Sequence, residues 1–182
     1  MTRIAVVLGS VRPNRVGGSV AQWVVDQANA TEGVQAELVD IAAFNLPVFA
    51  EEMPPMMAAP KDPAAVAFNE VLSSYDAYIF VTPEYNRSIP GALKNAIDFV
   101  VPSVMANKAV GLVAYSYSNG FRPLEHLRDV LVNFTTGVVT PQVNVSLATD
   151  FSNGTFSPAE YHNVAAVVEA VVAQDKALST LR

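Results

Sequence analysis

The sequence predicts an α/β protein: a five-stranded parallel sheet in the order 2-1-3-4-5, with helices on both faces in a three-layer sandwich. Three observations predict it. Short β-branched runs alternate with longer stretches of helical spacing, and they do so five times with neither an internal repeat nor a linker, so residues 1–182 read as one domain. The first run, Arg3 to Leu8, is apolar after its first residue, as a strand buried on both faces must be. Five strands of this kind favour an order whose switch point lies between strands 1 and 3.

The elements follow in order. After Arg3–Leu8, Ser19 to Ala30 reads as a helix with Val20, Trp23 and Val24 on one face, and with Ser19 and Gln22 as a capping box. Gln35 to Ile41 is the second strand, closed by Asp40, a cap or turn residue. The Pro- and Met-rich stretch LPVFAEEMPPMMAAPKDP then shows no periodicity. Asp62 and Pro63 suit an N-cap and first helical position, and Ala64, Ala67, Phe68, Val71, Leu72 and Tyr75 keep helical spacing. Ala77 to Thr82 is the third strand, and Pro90 opens a helix carrying Leu93, Ala96, Ile97 and Val100. Lys108 to Tyr115 is the fourth strand, Arg122 to Phe134 the fourth helix, and Val138 to Leu147 the fifth strand. Ser157, Pro158 and Glu160 then predict the cap of a last helix running to about Leu181.

Composition narrows the function. Hydrophobic residues make up 51% and charged residues 15%, the balance of a packed domain rather than a disordered chain. No run approaches the roughly 20 apolar residues that span a bilayer, and the amino terminus lacks a signal-peptide pattern, so the expectation is a cytoplasmic protein with no membrane partner. The absence of cysteine excludes disulfides, thiolate zinc sites, iron–sulfur clusters and cysteine nucleophiles; redox chemistry here requires a bound cofactor. A net charge of -6 argues against nucleic acid. Yet Arg12, Arg15, Arg87, Lys94 and Arg122 gather in or just after three loops at one end of the predicted sheet, which suits a small anion.

In an open sheet of this order the ligand belongs beside the loops after strands 1 and 3. The first, LGSVRPNRVGGSV, fits neither common phosphate signature. From Gly9 the second glycine required of a P-loop falls on Asn14, and Gly9 is followed two positions later by Val11, which breaks a G-x-G-x-x-G fingerprint. The parts of a phosphate cradle are present nonetheless: hydroxyls at Ser10 and Ser19, backbone amides at Gly17 and Gly18, the guanidinium of Arg12, and a helix amino terminus. The second, TPEYNRSIPG, is stiffened by Pro83, Pro90 and Gly91 and offers Tyr85 beside amide and carboxylate groups, a combination suited to a planar heterocycle. His126 and His162 fall on helical patterns and read as surface or cap residues rather than catalytic bases.

GSVRPNRVGGSVAQWV followed by TPEYNRSIPGALKNAIDF resembles the NAD(P)H-dependent FMN reductase family, which has a flavodoxin-like fold and includes quinone, azo and chromate reductases. The likeness covers about residues 4–135 and rests on G-S-x-R after strand 1 and P-E-Y-N-x-S-x-P-G-x-L-K-N-A-I-D after strand 3. It implies an FMN-binding oxidoreductase that takes hydride from NADPH or NADH and passes the electrons to flavin, a quinone or a similar small acceptor, with ping-pong kinetics. It also implies that Ser10, Arg12, Gly18, Ser19 and Val20 hold the FMN phosphate, that Pro83, Glu84, Tyr85 and Asn86 line the flavin ring, and that the chain forms a homodimer or homotetramer. After strand 4 the family carries Tyr-Gly-Gly; this chain has Tyr115 to Gly120 instead, with Ser116 and Ser118 as flavin-edge contacts and Tyr117 intruding. Two further expectations concern Arg87, as a contact for the extra phosphate of NADPH, and the Met-rich stretch, as an apolar lid or a subunit contact. A flavodoxin-like electron carrier or flavin sensor without NAD(P)H turnover is the alternative; flavodoxins use a Thr/Ser-rich phosphate loop without an arginine such as Arg12.

Overall fold

A computed structural model describes residues 1–182. The strands are β1 (Thr2–Leu8), β2 (Val34–Asp40), β3 (Ala77–Pro83), β4 (Ala109–Ser116) and β5 (Gly137–Ser146), all parallel, in the order β2-β1-β3-β4-β5. The expected order and fold class are therefore observed, with strand ends within a residue or two of the sequence reading. β3 and β4 are buried along their whole length, which is why their sequences are continuous apolar runs. At the edge, β5 shifts register against β4 between Val110 and Leu112. That irregularity accommodates Pro141, which cannot donate to a ladder and is tolerated in an edge strand or bulge.

Helices α1 (Gly17–Asn29) and α6 (Val164–Leu178) cover one face, packing Val20, Val24, Val167 and Val171 against Val6, Ile79 and Val113. Helices α2 (Pro63–Ser73), α3 (Gly91–Asp98) and α5 (Phe121–Val132), with the short α4 (Pro102–Met105), cover the other; there Phe68, Leu72, Leu93, Ile97, Leu124 and Leu127 meet Val7, Phe80 and Leu112. As expected, Asp62 caps α2 by accepting from the amides of Ala64 (2.9 Å) and Ala65 (3.3 Å), with Pro63 in the first turn. No helix is long and apolar enough to cross a membrane.

Two helix starts differ from the expectation. α1 begins at Gly17, with Val16 as an N-cap that makes no side-chain cap bond. Ser19 lies inside the first turn, its hydroxyl donating to the Val16 carbonyl (2.8 Å), and Gln22 donates to Asp26, so there is no capping box. The last helix begins at Val164, capped by Asn163, not at Ser157. Between β5 and α6 lies a hairpin of β6 (Phe151–Ser152) and β7 (Thr155–Phe156). Asp150, buried beneath it, accepts from the amides of Ser146 (2.7 Å) and Ala159 (3.1 Å) and is 2.8 Å from Nε2 of His162. This carboxylate gathers the segment that would otherwise extend α6. It also corrects the placement of His162, which lies in a turn with its side chain only 4% exposed, edge-on to Trp23, rather than on a helix surface.

Candidate functional site

The carboxyl ends of β1, β3 and β4 open onto the start of α1, where a cleft of about 230 Å³ lies among the loops. Of the residues expected from sequence, Ser10, Arg12, Pro83, Glu84, Tyr85 and Ser116 line it. Arg15, Val16, Tyr115, Tyr117 and Leu147 line it as well and were not among the expected contacts. Arg15 lies inside the same Arg-rich loop, and Tyr115 and Tyr117 sit in the noted tyrosine stretch, so these had a sequence signal. Leu147 had none: it is brought in by the register of the edge strand.

The loop after β1 carries the groups that suit an anion. It is tied down by Gly9, whose amide donates to the Val81 carbonyl (2.9 Å), and by Ser10, buried, with its Oγ 3.1 Å from the Tyr85 hydroxyl. Arg15 is spent on Asp40, an ion pair that also fixes the turn after β2, where Asp40 accepts from the Ala42 amide. Arg12, exposed at the mouth, forms no ion pair. The first amides of a helix have no intrahelical acceptor, and at α1 the Ser19 amide turns back to Val16 (3.2 Å), which leaves those of Gly17 and Gly18. Gly17 is required for packing: a Cβ there would fall on the hydroxyl of Tyr115, itself buried. At Gly18 a Cβ would meet open space. Burial, chiefly, pushes the Tyr115 phenol far above its ordinary pKa, so it stays a neutral hydroxyl. Val20 is wholly buried in the core, so only its backbone is available, and the Ser19 hydroxyl is committed to Val16.

The segment after β3 forms a rigid wall. After Pro83 the chain makes a two-residue hairpin: Tyr85 and Ser88 exchange backbone bonds of 2.9 and 3.0 Å across Asn86 (φ 49°) and Arg87 (φ 70°). Two successive left-handed residues make this a type I′ turn, natural for Asn and costly for Arg. Glu84 is only 9% exposed and is gripped by three donors: Ser118 Oγ (2.6 Å), Ser116 Oγ (3.1 Å) and Arg122 (3.2 Å). Burial works to raise its pKa, but the three hydrogen bonds and the Arg122 charge prevail and hold the carboxyl below the usual carboxylate range. Ser116 Oγ also accepts from the amides of Ser118 (3.0 Å) and Gly120 (2.8 Å). Ser116 and Ser118 therefore join the loop after β4 to the loop after β3 through Glu84. Ser118, like Asn86, does not reach the cleft wall, while Tyr117 stands at the rim, 81% exposed.

An uncommitted arginine on the cleft wall beside a helix amino terminus, with a phenol ring and fixed peptide groups from the neighbouring loop, suits a ligand that carries a phosphate and a planar polar ring. FMN has that form. The free Arg12 and the pair of glycine amides are the features that fit it.

Residues 2–150 match the NADPH-dependent FMN reductase family. The chain is 39% identical over 137 residues to the NAD(P)H-dependent FMN reductase ntnL of a Nectria species, covering 72% of this chain and 68% of that protein. It is 38% identical over 96 residues to a quinone reductase of Pseudomonas putida, which is 52% of this chain and about half, 47%, of that relative. The solved structure of FerB, a flavoenzyme NAD(P)H:(acceptor) oxidoreductase of Paracoccus denitrificans, shares the fold with a TM-score of 0.74 at 20% identity, over 99% of this chain and 98% of that one. The chain therefore belongs to the NADPH-dependent FMN reductase family, oxidoreductases with FMN as cofactor and a reduced nicotinamide as electron donor.

Proposed function

We propose that the protein oxidises NADPH or NADH and delivers the electrons to small acceptors such as free flavin or quinones, in two separate half-reactions at one open cleft. The observation that carries this reading is that Arg12, free of any carboxylate, and Tyr85, held on a rigid hairpin, line the same cleft. Bound FMN supplies the hydride-transferring centre. Arg12 and the amides of Gly17 and Gly18 bind its phosphate, and Arg15, locked to Asp40, shapes the loop rather than touching the ligand. Tyr85, held by the hairpin and by Ser10, lies along the ring. Because Ser116, Ser118 and Arg122 occupy the Glu84 carboxylate, the segment presents peptide groups to the ring edge rather than a free charge. Tyr117, a lining residue that is largely exposed, is the side chain past which a donor and then an acceptor would enter the cleft.

A homodimer or homotetramer in the cytoplasm belongs to the same proposal; Val48, Met56 and Met57, at 85%, 71% and 68% exposure, are the apolar side chains a second subunit would cover. The test is optical. The purified protein, reconstituted with FMN, is expected to show a flavin spectrum that anaerobic NADPH bleaches, and double-reciprocal plots against acceptor are expected to be parallel. A flavin that NADPH leaves oxidised is the behaviour of an electron carrier and would sink the proposal; intersecting plots would replace two half-reactions by a ternary complex.

A further inference from the structure

Arg87 is placed in a way the flavin site does not explain. Of the arginines, Arg3, Arg15, Arg122, Arg128 and Arg182 each meet a carboxylate; Arg12 and Arg87 do not. In a chain of net charge -6, with 17 acidic residues available, both unpaired arginines stand in the two loops that border the cleft. Arg12 lines the cleft itself. Arg87 lies two residues beyond Tyr85 on the hairpin and is not part of the cleft wall.

The backbone holds Arg87 there at a cost. It is the second central residue of the hairpin, at φ 70°, a position where glycine is the usual occupant and a long side chain is disfavoured. Strain of this kind persists where surrounding structure over-determines it, and here the turn is fixed on three sides. Tyr85 and Ser88 exchange both backbone bonds, the Ser88 hydroxyl is 2.9 Å from Nδ1 of His126, and Glu84, one residue before the hairpin, is clamped by Arg122 one helical turn earlier on α5. The other charges on and near this face are already committed: Lys94 to Asp98, Arg128 to Glu125, Arg122 to Glu84. What remains is one exposed guanidinium with no partner, on a rigid turn, and a neighbouring exposed imidazole whose orientation is set by Ser88.

We propose that Arg87, flanked by His126, is a second phosphate site, and that its ligand is the 2′-phosphate of NADPH. A guanidinium fork pairs with two phosphate oxygens at once, and NADH differs from NADPH by that phosphate alone. The site gives the enzyme its preference between the donors; the phosphate leaves with the oxidised nucleotide and takes no part in hydride transfer. Arg87 is thus a specificity residue, not a catalytic one. The inference rests on the oxidoreductase reading above.

Two measurements test it on the FMN-loaded protein. In steady-state turnover, Arg87→Ala is expected to lower the NADPH-to-NADH ratio of kcat/KM by about tenfold or more, with the loss in KM for NADPH, while Arg87→Lys keeps part of the preference. By calorimetry, the wild type is expected to bind 2′,5′-ADP more tightly than 5′-AMP by a similar factor, and Arg87→Ala to erase the difference. A ratio that does not change in Arg87→Ala overturns the proposal, as does a wild type that treats 2′,5′-ADP and 5′-AMP alike; either result leaves Arg87 as a solvated or subunit-contact arginine. If neither nucleotide reduces the flavin, it is the oxidoreductase reading that fails, and the ADP comparison still decides the phosphate site.

Discussion

At the amino-terminal edge of the sheet the arginines and the one buried lysine are all satisfied. Arg3 donates to the Ser74 carbonyl and faces Glu37, Arg182 meets Asp175 and the Asp76 carbonyl, and buried Lys108 donates to the carbonyls of Tyr75 (2.6 Å) and Ser73 (3.4 Å) and to the Tyr78 hydroxyl (3.1 Å). At the carboxyl edge Arg15 and Arg122 are similarly tied, but Arg12 and Arg87 are left without a carboxylate. Backbone conformation does not separate the two edges: left-handed residues occur at both, Asn107 and Thr135 at one, Asn14, Asn86, Arg87 and Asn119 at the other. The difference lies in free guanidinium groups. One edge spends its guanidinium groups on the fold, and the other leaves two unpaired in the loops that border the cleft.

The largest expected effect is therefore on stability, from the satisfied edge. Lys108→Met removes three hydrogen bonds and leaves the buried Tyr75 carbonyl unpaired, which costs about 2–4 kcal/mol, or a fall in Tm of roughly 5–15 °C for a chain of this size. FMN affinity should not move, since the site is at the other end of the strands. The pH profile adds a signature. Burial, reinforced by the Arg182 charge, brings the Lys108 pKa down to about 8 from 10.5, so between those values the unfolded chain keeps a proton that the folded chain has lost. Stability should rise with pH through that window. Tyr75 works in the opposite sense: raised to about 12 by burial and its bond to Glu37, it holds its proton in the folded state, and stability falls above about pH 10. Denaturant unfolding of wild type and Lys108→Met from pH 7 to 11 checks both; a variant that retains the alkaline rise would show that Lys108 is not its source.

Arg12→Ala inverts the pattern. The side chain touches no carboxylate, so its loss should leave the Tm of the apoprotein within about 2 °C. FMN binding should weaken by about 10- to 100-fold, the worth of one charge-assisted phosphate contact, measured by quenching of flavin fluorescence. Were Arg12→Ala to destabilise the apoprotein while FMN bound as before, the contrast between the edges would collapse.

How far this contrast was legible in the sequence depends on where each constraint originates. The strands were legible because burial on both faces writes itself as an apolar run. The cap of α2 was legible because Asp62 and Pro63 act locally. The start of α1 was not: Gly17 is fixed by Tyr115, which arrives from another strand nearly a hundred residues on. Nor was the cap of α6, because buried Asp150 collects partners from Ser146 to His162 that no local pattern joins. The β6–β7 hairpin did carry a signal, the pair Asn153-Gly154 at its turn with φ 50° and 79°. In the site, Ser10, Arg12, Pro83, Glu84, Tyr85 and Ser116 on the cleft wall were readable from their loops, whereas the network of Glu84 with Ser116, Ser118 and Arg122 depends on which strand ends are neighbours.

The smallest effect is the one that separates strain from use. Replacing Arg87 by glycine removes a left-handed non-glycine residue from the hairpin, relief worth about 1 kcal/mol, partly offset by the greater freedom of glycine in the unfolded chain. Since Arg87 has no partner to lose, Arg87→Gly should be about 0.5 kcal/mol more stable than wild type, raising Tm by roughly 1–2 °C. Its preference for NADPH over NADH should fall as it does in Arg87→Ala. A gain in stability coupled to a loss in donor selectivity is what a residue kept for binding produces. If Arg87→Gly is instead less stable, the guanidinium contributes to the fold after all, and Arg87 belongs with the satisfied cations of the opposite edge.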